Sequence, residues 1–208
     1  ILSRLVGSEM CIRDRIRTVA ATRFGNAGLF LERFLPEARH VEVQVFGDGL
    51  GGVIVLGDRD CSLQRRNQKV VEECPAPNIP ADVRELLHQS SKDLASSVKY
   101  QSAGTVEFLY DPHSKRPYFL EVNTRLQVEH GVTEQVYGID LVEWMIRLTQ
   151  GTLPPVGELE KATRQNGHSI QVRLYAEDPY KDFLPSPGEI RSSFSENGSC
   201  LLYTSPSP

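Results

Sequence analysis

Apolar positions recur along this chain in short alternating runs interrupted by helical stripes. From Arg39 to Phe46, Val41, Val43 and Val45 take one face of an extended segment, and His40, Glu42 and Gln44 take the other. That pattern predicts a half-buried strand with a polar side rich in functional groups. The glycines of GDGLGG at 47–52 suit a turn with positive φ, and Val53–Leu56 predicts the returning strand of a hairpin. Over Ala81–Lys99, Val83, Leu86, Leu87, Leu94 and Val98 form a stripe expected to face the core of a helix packing. Asp140 and Glu143 make the carboxylate version of a capping box before DLVEWMIRLTQ, which Gly151 and Pro154 terminate. Trp144 on that helix reads as packing. Thr152–Gly167 reads as a polar connection and a candidate boundary. Ser169–Leu174 alternates again, with Ile170, Val172 and Leu174 opposite Gln171 and Arg173. The fold class expected is α+β, a largely antiparallel sheet with flanking helices, most simply on one side.

The stretch TVEFLYDPHSKRPYFLEVNTRLQVE, Thr105–Glu129, carries the strongest chemical signal. Its runs Thr105–Tyr110 and Tyr118–Asn123 flank a polar turn and predict a β-hairpin. If Tyr110 pairs with Tyr118, Glu107 falls opposite Glu121, with Asn123 on the same face two residues on. Directly opposed side chains have Cβ atoms about 5 Å apart, where like charges repel. A hard cation such as Mg²⁺ between them would resolve that repulsion while leaving positions open for phosphate. A solvated carboxylate pair on an outer face is the alternative.

Composition narrows the field. The 208 residues are 39% hydrophobic and 24% charged, with a formal net charge of −4. That balance excludes a general nucleic-acid binder, so anion recognition must come from a local basic cluster. One lies in DCSLQRRNQKVVEE, where Arg65, Arg66 and Lys69 stand among Gln64, Asn67 and Gln68. It suits an oxyanion, or else forms a solvated loop paired with Glu72 and Glu73. No apolar run is long enough to span a membrane, and no signal peptide is evident. Cys11, Cys61, Cys74 and Cys200 show no C-x-x-C spacing, which fits reduced thiols and a cytoplasmic protein. Cys61 and Cys74 read as core or loop residues. In N-T-R-L-Q-V-E-H, 123–130, Arg125 and Gln127 could present a guanidinium and an amide to a small planar anion, and Glu129 could act as a general base on it.

The motifs RHVEVQV, DRDCSLQRRNQKVVEE, AGTVEFLY, FLEVNTRLQVEH, VRLYAEDP and FLPSPG, in this order and spacing, resemble the biotin carboxylases of the ATP-grasp superfamily over about residues 16–196. The resemblance implies an ATP-dependent ligase that activates bicarbonate as carboxyphosphate and carboxylates biotin. It implies that Glu107 and Glu121, assisted by Asn123, hold Mg²⁺ (or Mn²⁺). It places Glu32, Leu35, His40, Gln64, Asn67 and Leu109 around ATP, and Lys69, Arg125, Gln127 and Val128 around bicarbonate. It makes Glu129 the base and Arg173 the group that meets biotin. The implied partners are a biotinyl carrier domain and a carboxyltransferase domain, in a homodimeric full-length enzyme.

Three departures refine the resemblance. Asn67 stands where many members have His, Arg33 where several have Lys, and Gly131 where Pro is common. QRRNQK with ARHVEVQVFGDG and GIDLVEWMIRL is most like the biotin carboxylase region of urea carboxylase, which makes allophanate from urea. An acyl-CoA or pyruvate carboxylase, another ATP-grasp ligase such as carbamoyl-phosphate synthetase, and a non-catalytic ATP-binding module are the competing readings. Residues 1–15 and 199–208 resemble out-of-frame adaptor translation and are expected to be non-native. The expected organisation is therefore the C-terminal part of an ATP-grasp domain over 16–166, then the start of the biotin carboxylase C-terminal domain over 167–198. The family's N-terminal domain and Gly-rich lid have no counterpart in the chain, so it is expected to be truncated and inactive alone.

Overall fold

The computed structural model describes residues 7–30 and 32–189. They fall into two units, Ile1–Ala38 and Arg39–Pro208. In the first, helix α1 (Gly7–Phe24) runs through the expected boundary at residue 15 without a break. Its apolar residues Met10, Ile12, Ile16 and Val19 are exposed. Of the segments expected to be non-native, 1–15 and 199–208, residues 1–6 and 199–208 lie outside the described residues.

The second unit is built on a six-stranded sheet in the order β5-β4-β1-β2-β3-β6. Its strands are β1 (Arg39–Asp48), β2 (Val53–Arg65), β3 (Gln68–Cys74), β4 (Gln101–Asp111), β5 (Arg116–Asn123) and β6 (Ser169–Val172). Every neighbouring pair is antiparallel. The predicted glycine turn joins β1 to β2, with Gly49 and Gly51 at positive φ and Asp48 accepting from the amides of Leu50 and Gly52. Residues 169–172 extend this same sheet from its β3 edge. A small ladder, β7 (Glu177–Asp178) with β8 (Leu184–Pro185), follows.

Helices cover both faces of the sheet, not one. Val41, Val43, Val45, Val106 and Phe108 pack with α2 (Ala81–Ser97). On the opposite face Phe46, Ile54, Leu56 and Ala103 pack with Leu141 and Trp144 of α4 (Leu141–Thr149) and Val156 and Leu159 of α5 (Val156–Ala162). The cause is visible in β1: its polar alternation ends at Phe46, so that face needs an apolar cover at one end. β1 is accordingly buried on both faces, Glu42 and Gln44 included. The half-buried strand expected from alternation alone is corrected to a central one.

Two further expectations change. The buried stripe of α2 is Val83, Leu87, Ser91 and Ala95, while Leu86, Leu94 and Val98 point outward. Ser91 belongs inside because its hydroxyl donates to the Leu87 carbonyl at 2.7 Å, which satisfies it without water. The polar connection 152–167 contains α5, whose Val156 and Leu159 supply the three-residue apolar spacing of a short helix. The capping prediction agrees with the structure: Asp140 accepts from the Glu143 amide at 2.8 Å, and Trp144 meets Phe46 edge-on at 5.5 Å between centroids. Among the described residues no helix is long and apolar enough to cross a membrane.

Candidate active site

The polar end of the β1 face, opposite α2, opens into a cleft of ≈ 690 Å³ within the second unit. Every residue assigned above to metal, ATP, bicarbonate, the base or biotin lines it except Glu32 and Leu35, which belong to the unit 1–38. Strands bring in His40, Gln64, Lys69, Glu107, Leu109, Glu121 and Asn123. The segment after β5 brings in Arg125, Gln127, Val128 and Glu129, and the chain after β6 brings in Arg173.

Lys69 is at the centre. Its Nζ lies 2.5 Å from Glu42 Oε2, 2.9 Å from Glu107 Oε1 and 2.6 Å from Glu129 Oε1. Burial opposes the ammonium charge, but Glu42 and the other carboxylates outweigh it and raise its pKa. Glu107 Oε1 also accepts from Asn123 Nδ2 and Gln127 Nε2, each at 2.9 Å. His40 Nε2 is 2.9 Å from Glu107 Oε2, within ion-pair reach but off hydrogen-bond alignment. Burial alone would favour a protonated Glu107. The contacts from His40, Lys69 and Gln127 prevail and hold its pKa far below the carboxylate range. Glu129 follows the same pattern: burial disfavours its charge, Lys69 more than compensates, and its pKa is lowered.

The predicted hairpin forms, with a difference at its tip. Tyr110 pairs with Pro117 and Leu109 with Tyr118, one position off the expected register. A bulge then leaves Leu120 without a partner on β4 and sets Glu107 opposite Glu121, as expected. Asn123 reaches both carboxylates, at 2.9 and 3.3 Å, but through its amide nitrogen, not its oxygen.

The basic cluster does not act as one group. Of its three cations only Lys69 lines the cleft. Arg65 pairs with Glu177 and lies 4.6 Å over the Phe183 ring, and Arg66 pairs with Asp182 at 2.6 Å. The reason is the turn between β2 and β3, where Arg66 and Asn67 both have positive φ, so successive side chains diverge. Asn tolerates that conformation better than most residues, which gives the Asn67 departure a backbone cause. Gly131 is the second residue of α3 (His130–Tyr137), a first-turn position where proline is also accepted. Arg125 is exposed at the rim, donating to the Leu126 carbonyl at 3.2 Å.

Two residues the sequence reading left out hold the centre from below. Arg59, fully buried, donates to Glu42 Oε1 and Gln44 Oε1 at 2.7 Å and to Thr133 Oγ1 at 2.8 Å. The alternation in β1 had put Glu42 beside His40 on the polar face, which was its signal. Arg59 had no comparable mark. Glu72 pairs not with the basic loop but with Arg173. Cys61 and Cys74 are buried, as expected. Burial pushes the Cys61 thiol far up, so it stays protonated beside Glu42 and Glu129.

The family described as carbamoyl-phosphate synthase L chain, ATP binding domain, matches residues 4–155. The urea amidolyase of Saccharomyces cerevisiae is 55% identical over 186 residues, covering 88% of this chain and 10% of that protein. Biotin carboxylase 1 of Bacillus subtilis is 46% identical over 172 residues, covering 83% of this chain and 38% of that protein. The crystal structure of the Kluyveromyces lactis urea carboxylase superposes with a TM-score of 0.70 at 55% identity, over 75% of this chain and 14% of that one. The biotin carboxylase domain of the Hydrogenobacter thermophilus 2-oxoglutarate carboxylase, in complex with MgADP and bicarbonate, gives 0.79 at 41% identity, over 91% and 41%. The chain thus spans about a tenth of the length of the urea amidolyases it matches. It belongs to the carbamoyl-phosphate synthase L chain ATP-binding family of ATP-grasp domains and, within it, to the biotin carboxylases.

Proposed function

We propose that this chain forms the metal- and bicarbonate-facing wall of a biotin carboxylase site in a larger biotin-dependent carboxylase, with urea as the final carboxyl acceptor. The observation that carries the reading is the position of Lys69 between Glu107 and Glu129, which joins a cation-type carboxylate pair to a candidate base in one cleft.

A divalent cation fits the residues present. Four buried carboxylates, Glu42, Glu72, Glu107 and Glu129, face three fixed cations, Arg59, Lys69 and Arg173, and exposed Glu121 adds a further negative charge. Glu107 and Glu121 would hold Mg²⁺ or Mn²⁺, with Asn123 contributing its oxygen after an amide flip. Such an ion supplies charge neutralisation for the ATP phosphates. His40, Gln64, Asn67 and Leu109 lie toward the nucleotide. Lys69, Arg125, Gln127 and the Val128 backbone cradle bicarbonate. Gln127 Oε1 is buried without a donor among the described residues, which leaves that amide free to orient a ligand in the cleft. Glu129 takes the bicarbonate proton, and the freed oxygen attacks the γ-phosphorus as ADP leaves, giving carboxyphosphate. Arg173 then stabilises the negative oxygen that develops on biotin as carboxyphosphate breaks into phosphate and CO₂, the phosphate takes the N1 proton and N1 bonds the CO₂. Biotin arrives on a carrier domain, a carboxyltransferase domain receives the product, and the full-length enzyme is a homodimer.

The urea acceptor is supported by identities of 55–56% to two yeast urea amidolyases, against 43–49% for methylcrotonoyl-CoA carboxylase subunits and biotin carboxylases, while a putative urea carboxylase of Emericella nidulans stands at 46%. The test is ADP release by the full-length enzyme with bicarbonate and urea, acetyl-CoA or pyruvate in turn. Stimulation by urea alone is expected. Stimulation by an acyl-CoA or pyruvate overturns the acceptor, and nucleotide binding without bicarbonate-dependent turnover overturns the enzyme reading in favour of a binding module. The 208-residue chain by itself is expected to release no ADP.

A further inference from the structure

Arg173 is held from two sides. Its Nε donates to Glu72 Oε1 at 2.7 Å and its Nη2 donates to Glu129 Oε2 at 2.9 Å. Nη1 is the one guanidinium nitrogen without a partner among the described residues, on a side chain that lines the cleft. Glu72 is fully buried on β3, while Arg173 follows β6, so the contact spans the ladder that adds the last strand to the sheet. The Arg173 amide donates to the Val70 carbonyl at 2.9 Å, which fixes the backbone beneath the guanidinium. A buried carboxylate is costly, and here its second oxygen, Oε2, has no donor among the described residues. A core that needed only filling would be served better by an apolar residue of this size. The carboxylate is explained by what it does to the arginine.

We propose that Glu72 is a positioning residue, whose buried carboxylate clamps the Arg173 guanidinium edge-on against Glu129 and presents its third nitrogen to the biotin side of the cleft. Without that counter-charge the guanidinium is free to close fully onto Glu129 or to swing into solvent. Either movement removes the donor from the oxygen it must stabilise. The effect falls on the biotin step and leaves the ATP side, held by Lys69, Glu107 and Glu121, in place. This inference rests on the biotin carboxylase reading above.

The test is made in the full-length enzyme with free biotin, so that the acceptor domain plays no part. Two rates are followed: bicarbonate-dependent ADP release and carboxybiotin formation. Glu72→Gln is expected to form carboxybiotin about 10- to 100-fold more slowly, with ADP release changed by less than about threefold, thus uncoupling the two. Glu72→Asp should recover part of the loss. The double variant Glu72→Gln/Arg173→Met should be no slower than Arg173→Met alone, since Glu72 acts only through Arg173. Equal losses in both rates, additive losses in the double variant, or failure of both Glu72 variants to fold assign Glu72 to the core and overturn the proposal. A wild-type enzyme that releases no ADP with bicarbonate instead refutes the reading of the site itself.

Discussion

Glu107 stands directly across from Glu121 because β5 carries one residue, Leu120, that β4 does not match. At the tip of the hairpin Tyr110 pairs with Pro117, and an unbroken ladder from there would set Glu107 against Leu120. A one-residue slip in a strand moves every side chain beyond it to the other face. The bulge therefore decides whether the two carboxylates meet.

Deleting Leu120 should leave divalent-cation binding in place, because the ladder without its bulge still sets Glu121 directly opposite Glu107. Glu121→Gln, which keeps the register, should weaken it. Titration with Mn²⁺ followed by electron paramagnetic resonance separates the two. Mn²⁺ binding unchanged in Glu121→Gln would show that Glu121 is no ligand.

Lys69 neutralises three carboxylates that have little access to water. Lys69→Met should destabilise the fold by about 3 kcal/mol, since removing one partner leaves buried charge uncompensated. Millimolar Mg²⁺ should restore part of that loss by neutralising Glu107, whereas it should do much less for the wild type. Urea unfolding with and without Mg²⁺ measures both effects. Wild-type stability in the variant would mean that the carboxylates are protonated or hydrated in solution.

Acid should unfold the protein through these same groups. Glu107 and Glu129 have pKa values below their ordinary 4.5 in the folded state. A depressed carboxylate stabilises the fold fully above its unfolded pKa and loses that contribution as pH falls through the folded one. Glu72 opposes the trend, because burial raises its pKa. Wild-type stability should thus decline below about pH 4.5. The stability difference between wild type and Glu107→Gln should shrink over the same range in urea titrations at stepped pH. A difference that stays constant down to pH 3 would rule out the ion cluster as its source.

Asn67 has two separable duties, the left-handed turn and the cleft lining. Asn67→Gly satisfies the turn, so its unfolding midpoint should stay near that of the wild type while nucleotide affinity falls. Asn67→Ala should lose about 1 kcal/mol in addition, the usual cost of a β-carbon at positive φ. Thermal unfolding paired with fluorescent ADP-analogue titration distinguishes the two. Equal stability of the Gly and Ala variants would remove the backbone explanation for this residue.

Much of the site was legible in the sequence because strand chemistry is periodic. Alternation places His40, Glu42 and Gln44 on one face and groups Glu107 with Glu121 and Asn123. Side-chain chemistry in the runs 60–73 and 123–130 supplied Lys69, Gln127 and Glu129, the motif resemblance supplied Arg173, and these four line one cleft. What tertiary structure alone decided depends on contacts between residues far apart in the chain. Arg59 meets Thr133, 74 positions away, and Arg173 meets Glu72 and Glu129, 101 and 44 positions away. No local period encodes those distances. The basic run Arg65–Lys69 looked like one anion site, and only the turn at Arg66 and Asn67 sent its charges apart. The α2 stripe and the second helical layer were likewise decided by packing: an apolar residue has no face of its own until a neighbouring element covers it.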